Sequence, residues 1–362
     1  MRKNLLFLLV TLMLALVLVS CISTKGTMEG TQGLSRANPE GWPAPPKNRA
    51  LDPSEIVIAF CMFQSDQFFD IMTLGAQAAA EEYGVTLLTR HFDNDTAKEM
   101  ECLNSCIDQG VNGLVWNTVE GASINELKRV VASGIPVTLT TPLNEADAMH
   151  FYGLFCNDHK ELGYSCGVNS VKIIREKFGD ERIEIAVLQF SAQEAVRSAE
   201  RVDSFLKALD EGGISYKIVS NQDAWMAETA MSATADILEK HPDVDLIFGG
   251  NVGATVGATL GVKNAGKAGQ TIVCGIDSSL QLLEMLRSDD DILQVCAGQN
   301  PYYSGYYSVE QVIKVLMGGY DSQECSRYYG KLVVMDTLNL VRGDEVGLQK
   351  YEDFMLDLGI TE

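Results

Sequence analysis

"CIDQGVNGLVWNTVEG" (106–121) and "LEKHPDVDLIFGGNVG" (238–253) follow one plan. In each, a polar helical segment passes through a turn containing Gly or Pro into a short apolar run, which ends at an Asn and leads into a second helix. An apolar run of that length fits a strand covered on both faces. Two such units in one chain imply a duplication and therefore two similar lobes.

The pattern extends outward from both copies. Ahead of the first lie a strand "IVIAFCMF" (56–63), a helix "FFDIMTLGAQAAAEEYG" (68–84) and a strand "VTLLTRHF" (85–92); after it come a helix "ASINELKRVVASG" (122–134) and a strand "IPVTLTT" (135–141). The alternation restarts at "RIEIAVLQF" (182–190) and runs to "TIVCGID" (271–277). This order predicts an α/β protein of two Rossmann-like lobes with parallel sheets. Ligands of such sheets bind beyond the carboxyl ends of the strands. Asn117, Thr141, Asn251 and Asp277 close strands and are the first candidates. Amides offer a hydroxyl both donor and acceptor, and a carboxylate accepts two hydroxyl hydrogens.

The stretch "IFGGNVGATVGATLG" (247–261) invites comparison with a phosphate-binding loop. It has neither the GxGxxG spacing nor a GK[ST] ending, so dinucleotide and P-loop chemistry are not expected. Gly253, Gly257 and Gly261 recur every four residues on one helix face, where missing side chains let the helix approach its sheet.

The amino-terminal segment "MRKNLLFLLVTLMLALVLVSC" (1–21) has the basic start and apolar core of a secretory signal. Its end, a small residue before Cys21, resembles a bacterial lipobox, which would make Cys21 the site of lipidation and anchor the chain to the membrane. Residues 22–53 mix Gly, Ser, Pro and charge and read as a tether. The formal charge of −21 repels phosphate backbones and argues against nucleic acid as a partner. Several of the remaining cysteines, Cys61, Cys274 and Cys296 among them, fall inside apolar strands as small hydrophobes. Cys102 and Cys106 are one helical turn apart, a metal-pair spacing, but no His or Cys at a recognisable second spacing completes a site, so no metal is expected.

From Ile56 to Val334 the chain resembles the periplasmic sugar-binding proteins of type I fold, those similar to the ribose- and galactose-binding proteins of ABC transporters. The resemblance rests on "DQFFDIMTLGAQAAAEEYGV" (66–85), "DQGVNGLVWNTVEG" (108–121), "SGIPV" (133–137), "HPDVDLIFGGN" (241–251), "AGKAGQTIVCGIDSS" (265–279) and "AGQNPYYSGYYSVEQVIKVLMGG" (297–319), all in one order. It implies that Asp66, Phe68 and Phe69 supply a polar contact and stacking rings, that Asn117, Asn251 and Asp277 bind ligand from the strand ends, that Gln299 does so beside the hinge, and that Trp225 stacks on the ligand. Thr141-Pro142 replaces the Asp-Arg pair common in sugar binders. The helix-start Arg of those relatives falls on Ala199, with Arg197 or Arg201 as replacement. Both departures predict a less polar pocket than one for ribose.

The lobes expected are 54–156 with 300–330, and 157–299 with 331–362, joined by three crossovers near Phe155–Asn157, Gln299–Pro301 and Gly330–Val334. The expected function is capture of a sugar-like solute by hinge closure, as a monomer without cofactor, and delivery to an ABC permease. The alternatives are a sensor serving a chemoreceptor or kinase, and a receptor for a non-sugar ligand such as a nucleoside. Neither HExxH nor a full GxxxxGK[ST] is present, and an enzyme is not expected.

Overall fold

Residues 57–62 form the first strand, β1 (Val57–Met62), and five of its six residues are buried. Ala59 and Cys61 pack with Leu103, Trp116 and Leu127 on one side; Ile58, Phe60 and Met62 pack with Phe69, Met72 and Val309 on the other. Successive side chains of a strand point to opposite faces, so a strand covered on both sides reads as a continuous apolar run. The computed structural model describes residues 42–65, 67–119, 121–192 and 194–361. The export signal, Cys21, the first part of the tether and Asp66 lie outside the described residues.

The first lobe continues through α1 (Gln67–Tyr83), β2 (Thr86–His91), α2 (Thr96–Asp108), β3 (Gly113–Trp116), α3 (Ile124–Ala132), β4 (Val137–Leu139), α4 (Glu145–Ala148) and β5 (Leu154–Cys156). The second comprises α5 (His159–Phe178), β6 (Ile183–Gln189), α6 (Ala195–Glu211), β7 (Tyr216–Asp223), α7 (Ala227–Lys240), β8 (Leu246–Gly249), α8 (Val252–Asn264), β9 (Ile272–Ile276), α9 (Leu280–Arg287) and β10 (Leu293–Gly298). The chain then returns to the first lobe as α10 (Pro301–Leu316), α11 (Gln323–Ser326) and β11 (Leu332–Val334), and crosses again into β12 (Leu338–Val341) and α12 (Glu345–Asp357).

The two sheets have matching orders, β11-β5-β4-β3-β1-β2 and β12-β10-β9-β8-β6-β7, as a duplication requires. Three details differ from the sequence-based expectation. β12 runs antiparallel to β10, so the second sheet is mixed at its edge. β11 pairs with β5 in the first sheet, which moves residues 332–334 out of the second lobe and the third crossover to 335–337. Residues 42–53, expected to be tether, dock on the first lobe. There Trp42 packs edge-on against Tyr320 and Tyr329, with ring centroids 5.7 and 5.2 Å away. Tyr320 Oη donates to Pro43 O at 2.8 Å, and the backbone bonds Lys47 N to Gly134 O and Leu51 N to Leu316 O.

The glycine ladder of α8 also has a different partner from the one expected. A Cβ at Gly253 would stand 2.3 Å from Trp225 O, one at Gly257 2.3 Å from Ala227 O, and one at Gly261 2.6 Å from Thr234 Cβ. The helix therefore approaches α7 and the turn before it along this face, in addition to resting on its sheet.

The buried Asn157 joins all three crossovers. Its Nδ2 donates to Met335 O at 2.9 Å and Asp336 O at 3.3 Å, and its Oδ1 accepts from Asn300 N at 2.9 Å. Asn157→Ala leaves these backbone groups without their partner and is expected to cost about 1–3 kcal/mol in urea unfolding. Gly257→Val, which forces α7 and α8 apart, is expected to lower stability by about 1–3 kcal/mol in the same assay.

Candidate ligand-binding site

A cavity of about 610 Å³ lies where the carboxyl ends of the strands of both sheets meet. Five of its polar wall residues follow a strand closely. Asn117 follows β3 and Thr140 follows β4, while Asn251, Asp277 and Gln299 follow β8, β9 and β10. Aromatic cover comes from Phe68 and Phe69, packed edge-on at 5.1 Å, and from Phe190 across the cavity.

The polar groups are held before any ligand arrives. Asn117 Nδ2 donates to Thr140 Oγ1 at 3.0 Å and Thr140 O at 3.2 Å, which leaves Oδ1 as the atom it offers a ligand. Asn251 does the reverse: as N-cap of α8 its Oδ1 accepts from Ala254 N at 3.0 Å, leaving the amide donors. Asp277 has a left-handed backbone, φ 78°, a conformation that Asp tolerates better than most residues. Its Oδ2 accepts Val252 N at 3.0 Å and its Oδ1 accepts Gln299 Nε2 at 2.8 Å.

Arg201 is the buried cation of the site. Its Nη1 donates to Gly250 O at 2.9 Å and its Nε to His159 Nδ1 at 3.1 Å; its guanidinium lies over the Phe190 ring at 4.9 Å and 3.7 Å from the Asp277 carboxylate. Burial presses its pKa down and Asp277 opposes that shift, while a guanidinium keeps its proton in proteins. Arg197 also faces the cavity and pairs with Glu194 at 2.7 Å.

Two cavity residues carry atoms familiar from catalysis, but neither is activated. Burial pushes the Cys156 thiol up to about 12, far from the thiolate that a nucleophile needs. Burial, reinforced by Arg201 and Arg197, pushes His159 well below the ordinary imidazole value, and its Nδ1 is occupied by Arg201.

Of the residues singled out in the sequence, Phe68, Phe69, Asn117, Arg197, Asn251, Asp277 and Gln299 line this cavity. Thr141 does not: it is buried, with no hydrogen-bond partner for its hydroxyl among the described residues, and its neighbours Thr140 and Pro142 form the wall instead. Trp225, half-buried in the turn before α7, is also outside the lining. Sequence reasoning missed His159, Phe190 and the apolar side chains Tyr351, Phe354 and Met355 of α12. No local signal places that last helix at the cleft.

Two α/β lobes whose strand ends close on a polar, ring-lined cavity define a two-lobed solute-binding protein. The family described as "Periplasmic binding protein domain" matches residues 58–319, and the chain belongs to it. That family is one of exported binding proteins and not a class of enzymes. Over 269 residues the chain is 24% identical to an ABC transporter periplasmic-binding protein of Escherichia coli K12, covering 72% of this chain and 80% of that one. It is 25% identical to a D-ribose/D-allose-binding protein of Pseudomonas aeruginosa, over 70% of this chain and 80% of the relative. Among solved structures, a periplasmic solute-binding protein of Actinobacillus succinogenes with bound D-allose superposes with a TM-score of 0.69 at 23% identity, covering 82% of this chain and 100% of that one.

The His159 shift has a consequence for stability. Its folded-state pKa lies below the ordinary 6.5, so the neutral ring's contribution is complete above that pH and is lost as the pH falls below it. Between about pH 7.5 and about pH 5.5 the loss is expected to be about 1 kcal/mol. Thermal melts across that range should show His159→Gln, which retains an acceptor for Arg201, with a flatter profile.

Proposed function

We propose that this chain is a solute-binding lipoprotein that captures a sugar or sugar-like polar molecule between its lobes and delivers it to an ABC permease. The observation that carries this reading is the convergence of Asn117 from one lobe and Asn251 and Asp277 from the other on one cavity, together with Phe68, Phe69 and Phe190. Hydroxyls bind amides and carboxylates, and the apolar C–H face of a sugar ring packs on aromatic rings.

Charge supports an uncharged ligand. Arg197 is paired with Glu194 and Arg201 lies against Asp277, so each cavity cation already has an anionic neighbour. Relatives described as binding D-ribose, D-allose and D-apiose support the same class. Pro142 in the first-lobe wall and Tyr351, Phe354 and Met355 of α12 add apolar surface, which favours a ligand with a substantial apolar face. A ligand touching both lobes stabilises their closed arrangement through its greater affinity for that state, and the permease recognises the closed form. Lipidation of Cys21 would hold a monomeric protein at the membrane beside its transporter.

Mass spectrometry of small molecules released from the denatured protein, followed by titration calorimetry with them, tests the reading. Asn251→Ala and Asp277→Asn are each expected to weaken binding about 10-fold to 100-fold, the equivalent of 1.4–2.8 kcal/mol. Unchanged affinity in both variants, or no binding across aldoses, polyols and nucleosides, would reject the assignment.

A further inference from the structure

Three cysteines meet outside the ligand cavity. Cys102 and Cys106 lie one turn apart on α2, and that helix packs on the face of β1 from which Cys61 projects. Cys102 Sγ is 3.7 Å and Cys106 Sγ 3.8 Å from Cys61 Sγ, and all three sulfurs lie within 4.8 Å of one another. None of them is in a disulfide. The helical spacing is visible in the sequence, whereas the third thiol arrives only through the packing of α2 on β1.

We propose that Cys61, Cys102 and Cys106 form a binding site for a zinc-class divalent cation, with three thiolates as ligands and a fourth position open beside Cys102. Geometry supports this directly. Zinc–thiolate bonds are about 2.3 Å long, and two sulfurs at the corners of such a tetrahedron stand about 3.8 Å apart. The separations from Cys61 to Cys102 and to Cys106 match that value.

Charge and access support it as well. Arg90 on β2 is the register partner of Cys61. Its Nη2 donates to Gln109, while its Nε is buried without a hydrogen-bond partner among the described residues. Three thiolates, one divalent cation and one guanidinium sum to zero charge, whereas a monovalent cation would leave a buried excess of negative charge. Cys61 and Cys106 are each 1% exposed, and Cys102 is half-buried, which gives the ion an entry side. Binding replaces the thiol protons with three metal–sulfur bonds and releases those protons to solvent. The bound ion would staple α2 to β1, whose end leads to Phe68 and Phe69 at the ligand cavity.

The test uses the full chain, purified under reducing, oxygen-free conditions, stripped with a chelator and titrated with zinc sulfate. Elemental analysis after dialysis should find about one zinc per chain, with a higher melting temperature. Cobalt in place of zinc should give the intense sulfur-to-metal charge-transfer absorption of thiolate coordination. Cys102→Ser, at the half-exposed position, should abolish retention of the metal while the protein remains folded by circular dichroism. Zinc below about one-tenth of an equivalent, or uptake that survives both Cys102→Ser and Cys61→Ser, would overturn the proposal.

Discussion

Asn157 is the point on which the two-lobed arrangement depends. A chain that crosses between lobes three times must bury three irregular segments side by side, and their backbone groups need partners. One amide supplies them by donating to Met335 O and Asp336 O and accepting from Asn300 N. The three connecting segments are thereby tied at one place, the point about which the proposed closure of the lobes would turn. That combination suits a protein whose ligand sits between lobes and whose activity is closure.

Duplication then determines where chemistry can occur. Both sheets have the same strand order, so each presents its strand ends to the same cavity, and residues at corresponding positions, such as Asn117 and Asn251, meet there from opposite sides. The copies have diverged in how they hold these residues. Asn117 is fixed by donating to Thr140, and Asn251 by capping a helix. One therefore presents an acceptor and the other donors, a complementary pair for a hydroxylated ring.

The protein surface is strongly acidic, with a net formal charge of −21, but the cavity is locally balanced. Arg201 is anchored by the Gly250 carbonyl, a neutral His159 and the nearby Asp277. Burying this cation costs less because each of these groups compensates part of its lost hydration. The same contacts orient Asp277, whose positive φ and bonds to Val252 and Gln299 fix its carboxylate at the junction of the second lobe and the hinge.

Local pattern was enough to establish the α/β class, the duplication and the strand-end residues, because a strand covered on both faces must be apolar throughout and the residue that ends it is its chain neighbour. Asn117, Asn251 and Asp277 were legible for that reason, and Phe68 and Phe69 through the resemblance to the sugar-binding family. Contacts between segments distant in the chain were not. Trp42 against Tyr320 and Tyr329 turns an apparent tether into part of the first lobe, β11 joins the first sheet through β5, and α12 brings Tyr351, Phe354 and Met355 to the cavity. The α8 glycines announced a close approach but not its partner, which is α7. Cys61 likewise reads as one more apolar strand residue until α2 packs on β1 and sets two further sulfurs beside it. Periodicity records which face of an element is covered, and only the closed chain specifies what covers it.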